Sequence, residues 1–113
     1  MDTHKVQLVL HELYNSLNSR KEQTAGIQDI TDCLLQVYKK IAVVKNPESL
    51  LSALVNYIYV TGFNHKIQFH GRDEELLREL AKYNQTAGLN AKYRSDFTDK
   101  SQFYSFLEAM PQR

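Results

Sequence analysis

The chain has 113 residues, 42% hydrophobic and 24% charged, with a formal net charge of +1. That length suits one hydrophobic core, and the apolar share is enough to fill it, which argues against a disordered chain or two independent cores. Its basic residues, among them Arg20, Lys39, Arg72 and Lys100, are scattered and offset by acids, so neither the basic stripe of a nucleic-acid binder nor the basic helix face of a membrane-clinging peptide is present.

The opening Met1-Asp2-Thr3-His4-Lys5 lacks the basic-then-apolar layout of a signal peptide. Val6, Leu10, Leu13 and Leu17 then follow at helical spacing and predict a first amphipathic helix. The polar stretch from Asn18-Ser19 to Thr24-Ala25-Gly26 reads as a loop. Ile27, Ile30, Leu34, Val37 and Ile41 predict a second helix. Asp29 and Asp32 near its start, and Lys39 and Lys40 near its end, match the helix dipole.

Asn46-Pro47 reads as an N-cap with proline in the first turn of a third helix, running to Gly62 or Asn64. Leu50 or Leu51, Leu54, Ile58 and Thr61 form its main stripe, widened by Val55 and Tyr59, and Gly62 predicts fraying or a bend. This most apolar helix is expected to be the most deeply buried. The uncharged run from Ser49 to Asn64 falls short of the ~20 apolar residues that span a bilayer. Lys66-Ile67-Gln68-Phe69 reads as a connection.

A fourth helix is predicted from about Gly71. Asp73, Glu74 and Glu75 load its first turn, Leu76, Leu77, Leu80 and Ala81 face inward, and Glu74 can pair with Arg78. Gly88 is placed as the glycine ending it, with Leu89 beyond. Asp99 to Ala109 predicts a short further helix, started near Thr98 or Asp99 and stopped by Pro111. The fold expected is all-α: an antiparallel up-down four-helix bundle over about 3–88, with a C-terminal extension over about 89–113 that adds a short fifth helix, all in a single domain 1–113.

Candidate chemistry is sparse. The single cysteine, Cys33, reads as a small buried residue of helix two, not a nucleophile. His4 and His11 share a face of helix one but need ligands from another helix to hold a metal, and with His65 and His70 they read as surface or boundary residues. Asp73-Glu74-Glu75 is explained by the helix dipole. Tyr57 and Tyr59 read as core-boundary residues, rings inward and hydroxyls outward. There is no HExxH, CxxC or GxSxG pattern and no phosphate-cradling glycine loop. No cofactor or metal is expected. The extension carries five aromatics, Tyr93, Phe97, Phe103, Tyr104 and Phe106, which either pack on the bundle or meet a partner.

Three groups of residues carry a resemblance. They are His11-Glu12-Leu13-Tyr14-Asn15, Leu54-Val55-Asn56-Tyr57-Ile58, and Thr86-Ala87-Gly88-Leu89-Asn90 with Tyr93, Asp96-Phe97 and Asp99-Lys100-Ser101-Gln102-Phe103. Together they resemble the immunity proteins of pediocin-like (class IIa) bacteriocins, in particular the enterocin A and leucocin A branch. The likeness spans about residues 8 to 104, and its C-terminal run is the most specific part.

The resemblance implies a non-enzymatic cytoplasmic four-helix bundle, with a fraction at the inner face of the membrane. It implies protection of the producing cell by action on the mannose phosphotransferase permease with bacteriocin bound, keeping the pore shut. Nucleic acid is not an expected partner, and the chain is expected to be a monomer or weak dimer. The C-terminal half would decide which bacteriocin is resisted. Tyr93, Arg94, Phe97, Lys100, Phe103, Tyr104 and Phe106 are therefore the expected partner-binding and specificity residues, with Tyr93 and Phe97 equally suited to pinning the tail. Replacing Phe103 and Tyr104 by Ala is expected to abolish protection while leaving melting nearly unchanged. The competing reading is a helical adaptor or regulatory protein without immunity activity. A neighbouring gene for a small secreted peptide with a YGNGV-type N-terminus would separate the two.

Overall fold

The computed structural model describes residues 1–86 (side chains to 83), 99–105 and 108–111. The described residues form four α-helices, α1 (Thr3–Asn18), α2 (Ala25–Lys40), α3 (Pro47–Asn64) and α4 (Arg72–Thr86), and a 3-10 turn at Lys100–Phe103. Each helix packs on its neighbours in the chain, and α4 closes back onto α1. The connections are short, 19–24, 41–46 and 65–71, so consecutive helices run antiparallel as an up-down bundle.

Each of the first three helices starts where a side chain takes up a free amide. Asp2 accepts from the Lys5 amide, Thr24 from Ile27 and Asn46 from Ser49, each at 3.2 Å. The Thr24 cap corrects one expectation. Ala25 and Gly26 belong to the first turn of α2, not to the loop. Gly26 is required there by packing, since a Cβ would lie 2.7 Å from the Cγ of His65.

At the other end of α3 the helix runs through Gly62 to Asn64 without fraying there. Gly62 is there for the Phe69 ring, which would stand 2.6 Å from an added Cβ. The helix ends in a left-handed cap: Lys66 has φ 56°, the Ile67 amide reaches the Gly62 carbonyl at 2.8 Å, and the Lys66 amide reaches Phe63 at 3.3 Å.

The predicted inward residues of α1 and α2 are buried, as are Leu51, Leu54, Val55 and Ile58 of α3 and Leu76, Leu77 and Leu80 of α4. Two tyrosines depart from expectation. Tyr57 is 3% exposed and Tyr59 is 45% exposed, so neither is a half-buried boundary residue and Tyr59 does not widen the core stripe. The reason is long-range: Phe103, 1% exposed, enters the core from the C-terminal tail and covers the Tyr57 side of α3.

That capture also shortens the expected fifth helix. Asp99 caps the turn by accepting from the Ser101 amide, but Tyr104 is already extended at φ −116°, ψ 137°. Among the described residues from Asp99 to Ala109, the helical part is the four-residue 3-10 turn Lys100–Phe103, shorter than the helix expected. Gly88, Leu89, Tyr93, Arg94, Phe97 and Phe106 lie outside the described residues.

The seam between α1 and α4 is polar. Asp73, buried in the first turn of α4, accepts from the Ser16 hydroxyl and from Arg20 Nη2 at 2.9 Å. Arg20 also donates to the Gln68 carbonyl at 2.9 Å and lies 5.9 Å over the Phe69 ring. Arg20 is therefore a structural clasp between connections rather than one of the scattered surface charges.

Candidate functional site

Three of the expected tail residues, Lys100, Phe103 and Tyr104, come together against the bundle. α2 supplies the surface that receives them. Asp29, Asp32, Gln36 and Lys40 follow at steps of three, four and four, which places them on one face of the helix. This face is turned well away from the apolar stripe of Ile27, Ile30, Leu34, Val37 and Ile41.

Lys100 reaches this face first. Its ammonium donates to Asp29 Oδ1 and Asp32 Oδ2, both at 2.9 Å, and to the Pro111 carbonyl at 3.3 Å. The side chain is only 11% exposed. Burial disfavours its charge, but the two carboxylates outweigh burial and hold its pKa above the usual lysine value. Phe103 follows, its ring 5.4 Å from that of Tyr57 at an interplanar angle of 80°. This is the edge-to-face geometry that aromatic pairs favour. Burial raises the Tyr57 hydroxyl above its ordinary pKa.

Lys40 closes the other end. Its ammonium donates to the Phe103 carbonyl at 2.8 Å and to Glu108 Oε1. Glu108 Oε2 accepts from Gln36 Nε2 at 3.1 Å, and Oε1 also accepts from the Ser105 amide at 2.7 Å. The Lys40 hydrogen bond, followed by the Ser105 amide, brings the Glu108 carboxyl down to about 2. Gln36 is buried although it stands on the helix face that sequence periodicity assigns to solvent.

Lys100 and Phe103 thus hold the tail in place, and Tyr104 is half-buried beside them. Of the α2 residues that receive them, Asp29, Asp32 and Lys40 had been accounted for in sequence by the helix dipole alone. A polar stripe with its own helical spacing was the available signal.

A second feature is a partly open groove of about 170 Å³ between α1 and α2, lined by Leu10, His11, Tyr14, Leu34, Leu35 and Tyr38. His11 lies 5.9 Å from the Tyr38 ring and within 3.2 Å of Asn15 Nδ2. Cys33 is fully buried, and burial pushes its thiol up to about 12. A thiol in that state is not a nucleophile near neutral pH. Among the described residues, no three His, Cys, Asp or Glu side chains converge as a metal site. The ion pairs on the α2 face and the buried Phe103–Tyr57 contact join the tail to the bundle.

The relatives of the chain decide its family. The model of the "Bacteriocin immunity protein family" matches residues 4–85, all of α2 and α3 and all but one end residue of α1 and of α4. The chain belongs to the bacteriocin immunity protein family. Among the similar proteins of this immunity family is the "Probable leucocin-A immunity protein" of Leuconostoc gelidum, 45% identical over 102 residues, 90% of this chain and 89% of the relative. Another is the "Probable mesentericin-Y105 immunity protein" of Leuconostoc mesenteroides, 48% identical over 83 residues, 74% of each chain. No solved structure matches. The family match covers the helices of this immunity-family chain, whereas the tail that docks on α2 lies beyond it.

Proposed function

We propose that this protein is a non-enzymatic immunity protein that protects the cell carrying it from a pediocin-like pore-forming bacteriocin. The observation that carries the reading is family membership over the four helices, together with a relative named for leucocin-A immunity that aligns over 90% of the chain. In this reading the protein works from the cytoplasm, a fraction of it at the inner face of the membrane. Its target is the mannose phosphotransferase permease with bacteriocin bound. Among the described residues no helix is long and apolar enough to cross a membrane, so action by contact with a membrane protein suits the chain better than insertion.

The physical requirement is differential affinity. A protein that binds the closed form of the loaded permease better than the open form shifts the population towards closure, by no more than that difference allows. Tyr93, Arg94, Phe97, Tyr104 and Phe106 are the proposed contact residues. Lys100 and Phe103 give the surface its shape by holding the tail on the bundle.

The test is survival of a sensitive lactic acid bacterium or Listeria strain expressing the chain, challenged with a panel of pediocin-like bacteriocins. Protection against one or a few is the expected result. Abundant, folded protein with no protection against any member would overturn the reading.

A further inference from the structure

We infer that the end of the bundle where α1 and α3 begin and α2 and α4 end is a contact surface for an anionic membrane. The inference deepens the inner-face location within the immunity reading above, and rests on that reading only for its place in the cell. Folding gathers at this end lysines that look scattered in the sequence. Lys5 lies in the first turn of α1, Lys39 in the last turn of α2, Lys45 in the connection to α3 and Lys82 just before the last turn of α4. Two contacts between elements hold this end together: the Gln7 side chain donates to the Tyr38 carbonyl at 3.0 Å, and the Met1 amine lies 3.8 Å from Glu48.

These lysines are exposed, and among the described residues none has an ion-pair partner. The acids nearby are engaged otherwise: Asp2 caps α1, Glu48 faces the Met1 amine and Glu108 takes Lys40. Glu79 stands one turn further from this end than Lys82. The opposite end is built the other way. There Arg20 is paired with Asp73, Arg72 with Glu12 and Glu75, and Lys100 with Asp29 and Asp32. Lys21 and Lys66 are exposed at that end, but they share it with the acidic first turn of α4.

Between Lys39 and Lys45 the chain turns back, and the Val43 and Val44 amides both donate to the Lys40 carbonyl, at 3.0 and 3.1 Å. The turn is thus fixed, and it leaves Val43 80% exposed, outside the core. An aliphatic tip among lysines matches the boundary of a bilayer, where anionic headgroups lie over apolar chains. Protein interfaces concentrate their energy in aromatic rings and arginines seated in pockets. Here the cations are lysines, hydrated point charges that suit a diffuse surface charge better than a fixed carboxylate fork.

The experiment is sedimentation of the full chain with vesicles of phosphatidylcholine alone or mixed with phosphatidylglycerol. The wild type should bind the mixed vesicles, leave them as salt is raised, and ignore the neutral ones. Lys39→Gln with Lys45→Gln should weaken binding on the order of tenfold or more. Lys21→Gln with Lys66→Gln removes the same charge from the opposite end and should change binding less than about threefold. The chain has no tryptophan, so Val43→Trp and Phe63→Trp, both at highly exposed positions, report which end meets the bilayer. Mixed vesicles should shift the emission of Val43→Trp to the blue and leave that of Phe63→Trp in place.

No binding to mixed vesicles, equal losses in the two lysine pairs, or a blue shift confined to Phe63→Trp would overturn the inference. If vesicles are not bound but Lys39→Gln with Lys45→Gln loses protection in cells, the surface meets an acidic protein and not the membrane. Vesicle binding is read without bacteriocin, so failure of the inference and failure of the immunity reading are told apart.

Discussion

Phe103 and Tyr57, 46 positions apart in the chain, meet edge to face at 5.4 Å and are both almost wholly buried. The contact makes a residue of the C-terminal tail part of the bundle core. Phe103→Ala should therefore cost about 3–5 kcal/mol, the range for deleting a buried phenylalanine, which corrects the expectation that melting would be nearly unchanged. Urea denaturation followed by circular dichroism measures it. Tyr104→Ala, at a half-buried position, should cost under ~1.5 kcal/mol while still impairing protection. Equal stability losses at the two positions would show that Tyr104 is a core residue as well.

The Glu108 carboxylate ties the tail to Lys40. Its folded pKa of about 2 lies below the ordinary value, so its contribution to docking is present above the unfolded pKa and is lost as pH falls through the folded one. The tail should therefore remain attached at pH 4 and loosen as pH approaches 2. Lys40→Met should move the carboxyl titration upwards, and the Glu108 side-chain carbon shift in an NMR titration reads this directly. An unchanged midpoint in Lys40→Met would mean that the Ser105 amide and Gln36 hold the carboxylate without Lys40.

Two positions at the end of α3 should respond in opposite directions. Lys66 holds φ 56°, where a side chain costs about 1 kcal/mol or more and glycine costs less. Lys66→Gly should stabilise the protein by roughly 0.5 kcal/mol. Gly62→Ala should destabilise it by about 1–3 kcal/mol, although alanine favours helix, because the new methyl meets the Phe69 ring. Thermal melts of the two variants on either side of wild type would confirm both.

Cys33 should behave as a reporter of opening. With its thiol buried and pushed up to about 12, alkylation at pH 8 should be slow in the folded protein and become fast in denaturant. Prompt labelling of native protein would place Cys33 on a surface the fold exposes transiently.

Much of the scaffold was legible without coordinates. The apolar stripes of α1 and α2, the Asn46-Pro47 start of α3 and the acidic first turn of α4 are local patterns, since helical periodicity and capping act over three or four residues. Cys33 could be placed in the core on the same basis. The candidate site was legible only in outline. The tail's aromatics were visible, but which of them the bundle would take in was not, because Tyr57 and Tyr59 are equally apolar and differ only in what packs over them.

The sequence by itself determined four amphipathic helices, their order and most of their inward faces, because those depend on neighbours within one or two turns. Only the tertiary structure decided that Asp29 and Asp32 serve Lys100, across 71 and 68 residues, and that Phe103 belongs to the core. Paired charges and buried rings gain their energy from a partner brought close by folding. A carboxylate on a helix face has the same local signature whether that partner is water, the helix dipole or a lysine from the far end of the chain.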